Sequence, residues 1–131
     1  MTETIRPGGC LCGALRFEAT GEPIDIGWCH CRICQRSSGA PAQVWALYPS
    51  EAFRWIKGEP AIYASSAEGR REFCATCGSQ VAFRIGAYAS PNVGCFDEPD
   101  SLKPRRHIWT ESRITWFETP DGLPRSPRDD K

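Results

Sequence analysis

The stretch Cys74-Ala75-Thr76-Cys77-Gly78, set between apolar runs at 70–73 and 80–85, decides how this chain folds. Two cysteines flanking two residues and followed by glycine form a tight turn, in which the glycine permits the curvature and lets backbone amides approach sulfur. This is the form of a zinc knuckle. A knuckle supplies two ligands and needs two more. Cys10 and Cys12 are the natural complement: on an extended segment over about 9–19, Leu11, Leu15 and Phe17 share one face while Cys10, Cys12, Arg16 and Glu18 share the other. Four thiolates around one Zn²⁺ leave no open position, so the quartet Cys10, Cys12, Cys74 and Cys77 is expected to be structural. It ties the N-terminal strand to a turn more than sixty residues later. The alternative, a redox-active pair of Cys74 and Cys77, leaves Cys10 and Cys12 without a role.

Working outward, Cys29-His30-Cys31-Arg32-Ile33-Cys34 presents three more thiols within six residues. Three protein ligands on one Zn²⁺ leave a fourth place for water or substrate, the mark of a catalytic or ligand-exchanging site. The competing arrangement is a second closed site with His30, His107 or Cys95 as fourth ligand. If 29–31 is extended, the His30 side chain points away from the two sulfurs beside it. Cys95 is most economically a small buried thiol. Arg32 and Arg36 flank the trio, either offsetting its negative charge or lying solvated at the surface. The five tryptophans, at 28, 45, 55, 109 and 116, are expected mostly in packing, with one or two at a pocket rim.

The remaining sequence has almost no helical repeat. Short runs rich in Val, Ile, Phe, Tyr and Trp at 24–29, 42–48, 53–57, 61–65, 70–73, 80–85, 92–96, 107–109 and 114–118 are separated by Gly, Pro and Ser. The class is mostly β. One helical turn is expected at 32–37, bringing Cys34 back toward Cys29 and Cys31. A length of 131 residues suits one core, hence a single zinc-binding domain over 1–131, with a polar, proline-rich tail that is mobile from about 121. So many strands need cover on their edges, and a domain this small gains stability from metal staples. Sixteen Lys and Arg balance sixteen Asp and Glu at a pI of 6.7, which gives no electrostatic footprint for nucleic acid or membrane. No run approaches about 20 apolar residues, and 1–9 carries no apolar export signal. A cytoplasmic location is therefore expected, where reducing conditions keep thiols free for metal.

Gly8-Gly9-Cys10-Leu11-Cys12-Gly13-Ala14, Cys29-His30-Cys31-Arg32-Ile33-Cys34 running into Ser38-Gly39-Ala40, and Phe73-Cys74-Ala75-Thr76-Cys77-Gly78-Ser79 together resemble the glutathione-dependent formaldehyde-activating enzyme family. His107-Ile108-Trp109, Trp116-Phe117 and Asp121-Gly122-Leu123-Pro124 are similar to that family's C-terminal signature, and the chain also resembles centromere protein V. The resemblance implies a β-tent of twisted antiparallel sheets, similar to methionine sulfoxide reductase B and a Rab-binding zinc chaperone. It further implies two Zn²⁺ per chain: a structural ion on Cys10, Cys12, Cys74 and Cys77, and a catalytic ion on Cys29, Cys31 and Cys34. The implied reaction joins glutathione and formaldehyde into S-(hydroxymethyl)glutathione, a carbon–sulfur lyase chemistry with a small thiol and a small aldehyde as partners. The open trio suits it, because a thiol entering the fourth place loses its proton and a thiolate attacks a carbonyl carbon. A non-catalytic zinc-stabilised module that binds a thiol ligand or a partner is the alternative, with a thiol-redox enzyme as a third. No residue distinguishes one thiol or aldehyde from another.

Overall fold

The computed structural model describes residues 3–129; residues 1–2 and 130–131, the ends of the expected domain, lie outside the described residues. In chain order the strands are β1 (Ile5–Gly9), β2 (Arg16–Thr20), β3 (Asp25–Cys29), β4 (Gln43–Pro49), β5 (Phe53–Lys57), β6 (Ala61–Ala64), β7 (Arg70–Phe73), β8 (Gln80–Ile85), β9 (Tyr88–Pro91) and β10 (Arg106–Ile108). Among the described residues a single α-helix, α1 (Arg32–Ser38), follows β3. The mostly β expectation is met. β1, β2 and β5 form a three-stranded antiparallel sheet, and the other strands form a sheet in the order β10-β3-β4-β9-β8-β7-β6. That second sheet is mixed, because β10 runs parallel to β3, with Arg106 opposite Gly27 and Ile108 opposite Cys29.

The extended segment expected over 9–19 is two strands joined by a turn. Ile5 lies opposite Thr20 and Gly9 opposite Arg16, so residues 10–15 reverse the chain. Gly13 takes a left-handed φ of 82°, and the Leu15 amide donates to Cys10 Sγ at 3.3 Å rather than to a neighbouring strand. Cys10 and Cys12 therefore sit on a turn and not on one face of a strand. The alternation of apolar residues that suggested a strand spans the reversal by coincidence.

Two other runs depart from expectation. At 92–96 the chain makes a short 3₁₀ turn, Val93–Cys95, with Cys95 N–H donating to Asn92 O and Phe96 N–H to Val93 O. The strand lies just before it, at β9. At 114–118 no strand forms, since the Arg113 guanidinium donates to the carbonyls of Ile114, Thr115 and Phe117 at 3.1, 3.1 and 2.9 Å. A side chain thus satisfies the acceptors that a ladder would have used.

An aromatic core fills the space between the sheets. Phe17 of β2 is fully buried, its ring 4.9 Å from Phe53 and edge-on to Phe96 at 5.2 Å and Trp55 at 5.8 Å. Tyr48, Val81 and Ala89 of the larger sheet close the same core. Edge-to-face geometry adds to area burial here, so Phe17 is a principal anchor between the sheets. From about 121, where a mobile tail was expected, the described residues lie beside β10. His107 N–H donates to Pro124 O at 2.9 Å, Ser126 N–H to His107 O at 3.0 Å and Trp109 N–H to Arg128 O at 3.3 Å.

Candidate functional site

The turn between β1 and β2 meets the turn between β7 and β8, and four sulfurs converge where they touch. Leu11 N–H crosses to Ser79 Oγ at 3.0 Å. Within the second turn Cys74 N–H donates to Ser79 O at 3.0 Å and Gly78 N–H to Cys74 O at 2.8 Å. Gly78 has φ +80°, the left-handed conformation that the knuckle reading requires. The sulfurs of Cys10, Cys12, Cys74 and Cys77 all lie within 4.8 Å of one another. Cys10 and Cys12 are 3.7 Å apart and Cys12 and Cys74 3.8 Å.

A tetrahedral zinc with four sulfurs at about 2.3 Å separates them by about 3.8 Å, so these spacings fit that ion. They are far beyond the ~2.05 Å of a disulfide bond, and all eight cysteines are free thiols. Cys77 N–H donates to Cys74 Sγ at 3.4 Å and Ser79 Oγ lies 3.2 Å from Cys77 Sγ. Chiefly through that hydroxyl, and through neighbouring amides, Cys77 is held down to about 5. Such contacts favour thiolate, the form a metal binds.

The trio is built by the end of β3 and the start of α1. Cys31 caps the helix, its Sγ accepting from Cys34 N–H at 3.3 Å, and Gly39 ends it in the left-handed conformation at φ 68°. One helical turn therefore brings Cys34 to Cys29 and Cys31, and these sulfurs also lie within 4.8 Å of one another. Cys29 and Cys34 are buried against Ile108, Trp45 and Trp109. Cys31 is only half-buried, so the trio faces solvent on its side. Hydrogen bonds from the Cys29 and Cys34 thiols push Cys31 to about 2, and the same crowding pushes Cys29 far up. Three adjacent sulfurs do not all ionise without a cation among them.

Among the described residues no fourth Cys, His, Asp or Glu joins the trio. Cys95 donates instead to Gln80 O at 3.4 Å, and burial pushes it up to about 11. His30 turns away from the sulfurs, as an extended 29–31 requires, and is fully buried. Its Nε2 lies 2.9 Å from His107 Nδ1, and His107 Nε2 lies 2.8 Å from Asp121 Oδ2. The carboxylate fixes the tautomers: His107 donates from Nε2 to Asp121, and His30 donates from Nε2 to His107. His30 Nδ1 is left as a buried acceptor without a donor. Burial first, then His107 and the nearby Arg125 and Arg113, push His30 down to about 4 and keep it neutral. Trp28 stacks on His107 with ring centroids 6.1 Å apart.

Sequence reasoning missed Arg71. This residue of β7 is 8 % exposed, and its Nη2 lies 3.9 Å from Cys34 Sγ. Its Nη1 donates to Ser37 Oγ at 3.2 Å and Gln43 Oε1 at 3.5 Å, and its Nε to Ser65 Oγ at 3.2 Å. Arg32, adjacent to the trio in sequence, donates to Gln35 Oε1 instead. Ser37 and Gln43 also line a cleft of about 480 Å³ together with Cys77, Asn92 and Cys95. A larger groove of about 540 Å³, lined by Trp28, Pro99, Leu102 and Lys103, touches neither cysteine cluster. No described helix is long and apolar enough to cross a membrane.

The architecture is similar to a crystal structure of a protein from Rhodobacter sphaeroides, with a TM-score of 0.57 at 19% identity over 92% of this chain and 98% of that one. At that identity the likeness speaks for the fold alone. Residues 5–112 match the family model for the glutathione-dependent formaldehyde-activating enzyme, a span that takes in both cysteine clusters. On that match, the chain belongs to the glutathione-dependent formaldehyde-activating enzyme family.

Proposed function

We propose that this chain is a zinc-dependent carbon–sulfur lyase-type enzyme that adds glutathione, or a similar thiol, to formaldehyde or another small aldehyde. The supporting observation is the inequality of the two clusters: four sulfurs at tetrahedral spacing in one, and three sulfurs opening to solvent in the other. Cys10, Cys12, Cys74 and Cys77 hold a structural Zn²⁺, and Cys29, Cys31 and Cys34 hold the catalytic one. The catalytic ion supplies a coordination place at which an arriving thiol gives up its proton.

Everything else falls to the protein. Cys29 and Cys34, buried and fixed by β3 and α1, set two of the three donor positions, and the half-buried Cys31 marks the side from which a thiol arrives. Ile108, Trp45 and Trp109 pack against the trio and limit the water that reaches it. The cleft lined by Ser37 and Gln43 reaches Cys77 of the quartet, and its hydroxyl and amide groups are of the kind a peptide-like thiol uses. The net reaction forms one sulfur–carbon bond and moves one proton from sulfur to the former carbonyl oxygen, with no change of oxidation state. Bringing thiol and aldehyde together is the main service such an addition needs. Free thiols ready for ligation suit a reducing, cytoplasmic setting.

The test combines zinc content per chain with nuclear magnetic resonance exchange between glutathione and formaldehyde, in wild type and Cys31→Ser. Wild type is expected to carry two zinc ions and to accelerate exchange, and Cys31→Ser to carry one and to lose the acceleration. Unchanged exchange in the variant refutes the enzyme reading.

A further inference from the structure

A buried guanidinium needs an anion, and among the described residues no carboxylate pairs with Arg71. Arginine stays charged at every relevant pH, and removing such a charge from water without an opposite partner is strongly unfavourable. Yet among the described residues every oxygen that accepts from Arg71 is neutral: Ser65 Oγ, Ser37 Oγ and Gln43 Oε1. Arg84 on β8 shows the usual solution, paired with Glu72 at 3.0 Å. Among the described residues, the hydrogen-bond partner of Arg71 that can carry negative charge is Cys34 Sγ, at 3.9 Å. The ring of Phe83, 4.6 Å from the guanidinium carbon, covers another side and fixes the group in place.

We infer that Arg71 is the counter-ion of the three-cysteine site, a positioning residue whose charge offsets the thiolates and so sets how tightly they hold a divalent metal and accept an anionic fourth ligand. This rests on the reading of the trio as a metal site. Three thiolates and a divalent ion carry a net charge of −1, and an entering thiolate makes it −2. A cation held at Cys34 offsets part of both. The two flanking arginines in the sequence do not supply it: Arg32 is bound to Gln35, and Arg36 has no contact with a trio sulfur among the described residues.

The experiment uses the zinc-loaded full chain with Arg71→Met and Arg71→Lys, read by chelator competition and by the spectrum of the cobalt(II)-substituted protein. Arg71→Met is expected to lose one of two metals at about 10–100-fold lower chelator concentration, with the other unaffected. Its thiolate-to-cobalt charge-transfer band is expected at longer wavelength, because loss of a nearby positive charge raises the energy of the sulfur electrons. Arg71→Lys, which keeps the charge, is expected to restore most of the affinity and the band position. Wild-type affinity and an unshifted band in Arg71→Met overturn the inference. If Arg71→Met does not fold, Arg71→Lys decides: affinity near wild type supports the charge, and a loss of 10-fold or more refutes it. A wild type holding a single metal sinks instead the reading of the trio as a metal site.

Discussion

Removing two sulfurs from the quartet should destabilise the chain more than removing two from the trio, by an amount that follows from sequence separation. Cys12 and Cys74, whose sulfurs are 3.8 Å apart, are 62 residues apart in the chain, whereas Cys29 and Cys34 are five apart. Treated as a cross-link, closing the long loop constrains the unfolded chain by about 4 kcal/mol. Loop-closure entropy scales as 3/2 RT ln n, so the short loop contributes about 2 kcal/mol less. Loss of the ion also breaks four metal–sulfur bonds in the quartet against three in the trio, which acts in the same direction, so closure sets the least difference expected. With an unfolding entropy of about 2.1 cal/mol/K per residue over 131 residues, 2 kcal/mol corresponds to about 7 °C. Cys74→Ser/Cys77→Ser is therefore expected to melt at least about 7 °C below Cys31→Ser/Cys34→Ser. Calorimetry in reductant at fixed zinc, with zinc counted in each variant, makes the comparison. Equal melting temperatures, or a trio variant that melts lower, refute the assignment of the quartet as the staple between the sheets.

His107→Leu is expected to cost about 2–4 kcal/mol in urea unfolding, because His30 Nε2–H loses its buried acceptor and Trp28 its stacked ring. In that background His30→Leu should cost at least about 0.5 kcal/mol less than it does in wild type; strict additivity would dissolve the coupled pair. Arg16 holds Asp97 through two hydrogen bonds, at 3.0 and 2.5 Å, and thereby keeps its carboxyl below the ordinary value. The stabilisation is complete above the unfolded pKa of about 3.9 and disappears as pH falls through the folded value. Arg16→Ala is thus expected to lower stability at neutral pH and to converge with wild type as pH falls through the folded value of Asp97; a gap that stays constant into acid would contradict the pair's role. Gly78→Ala places a side chain at φ +80° and should cost about 1–2 kcal/mol together with faster zinc loss from the quartet. Gly94→Ala, where a Cβ meets nothing within 4 Å, serves as control.

The cysteine arithmetic was legible because ligation leaves short-range marks: a fixed spacing, a glycine after the second thiol, a helical turn between third ligands. The strands at 53–57, 70–73 and 80–85 were legible at their ends, since apolar runs stop there at turn residues. The 9–19 segment was not, because its period-2 pattern continues through a reversal made by Gly13. The failure at 114–118 has another cause, a guanidinium that takes the place of a strand partner. The contacts of Arg71 with Cys34 and of Asp121 with His107 stayed hidden for a third reason. Each residue meets its partner across a long stretch of chain, Arg71 reaching Cys34 across 37 residues, and no local pattern marks such a meeting. His30 was read correctly as turned from the sulfurs because that follows from strand geometry alone.

Because β10 pairs parallel to β3, the strand that ends in Cys29 gains its outer neighbour only when residues 106–108 arrive. On a ribosome, every thiol of both clusters has emerged once Cys77 is out, while β10 and the segment beside it have yet to emerge. If both clusters bind metal as proposed, all seven sulfurs are open to it before Ile108 and Trp109 cover the trio. On the proposed reading of both clusters as metal sites, translation allows loading to precede enclosure, with residues 106–109 arriving later as the cover over the trio.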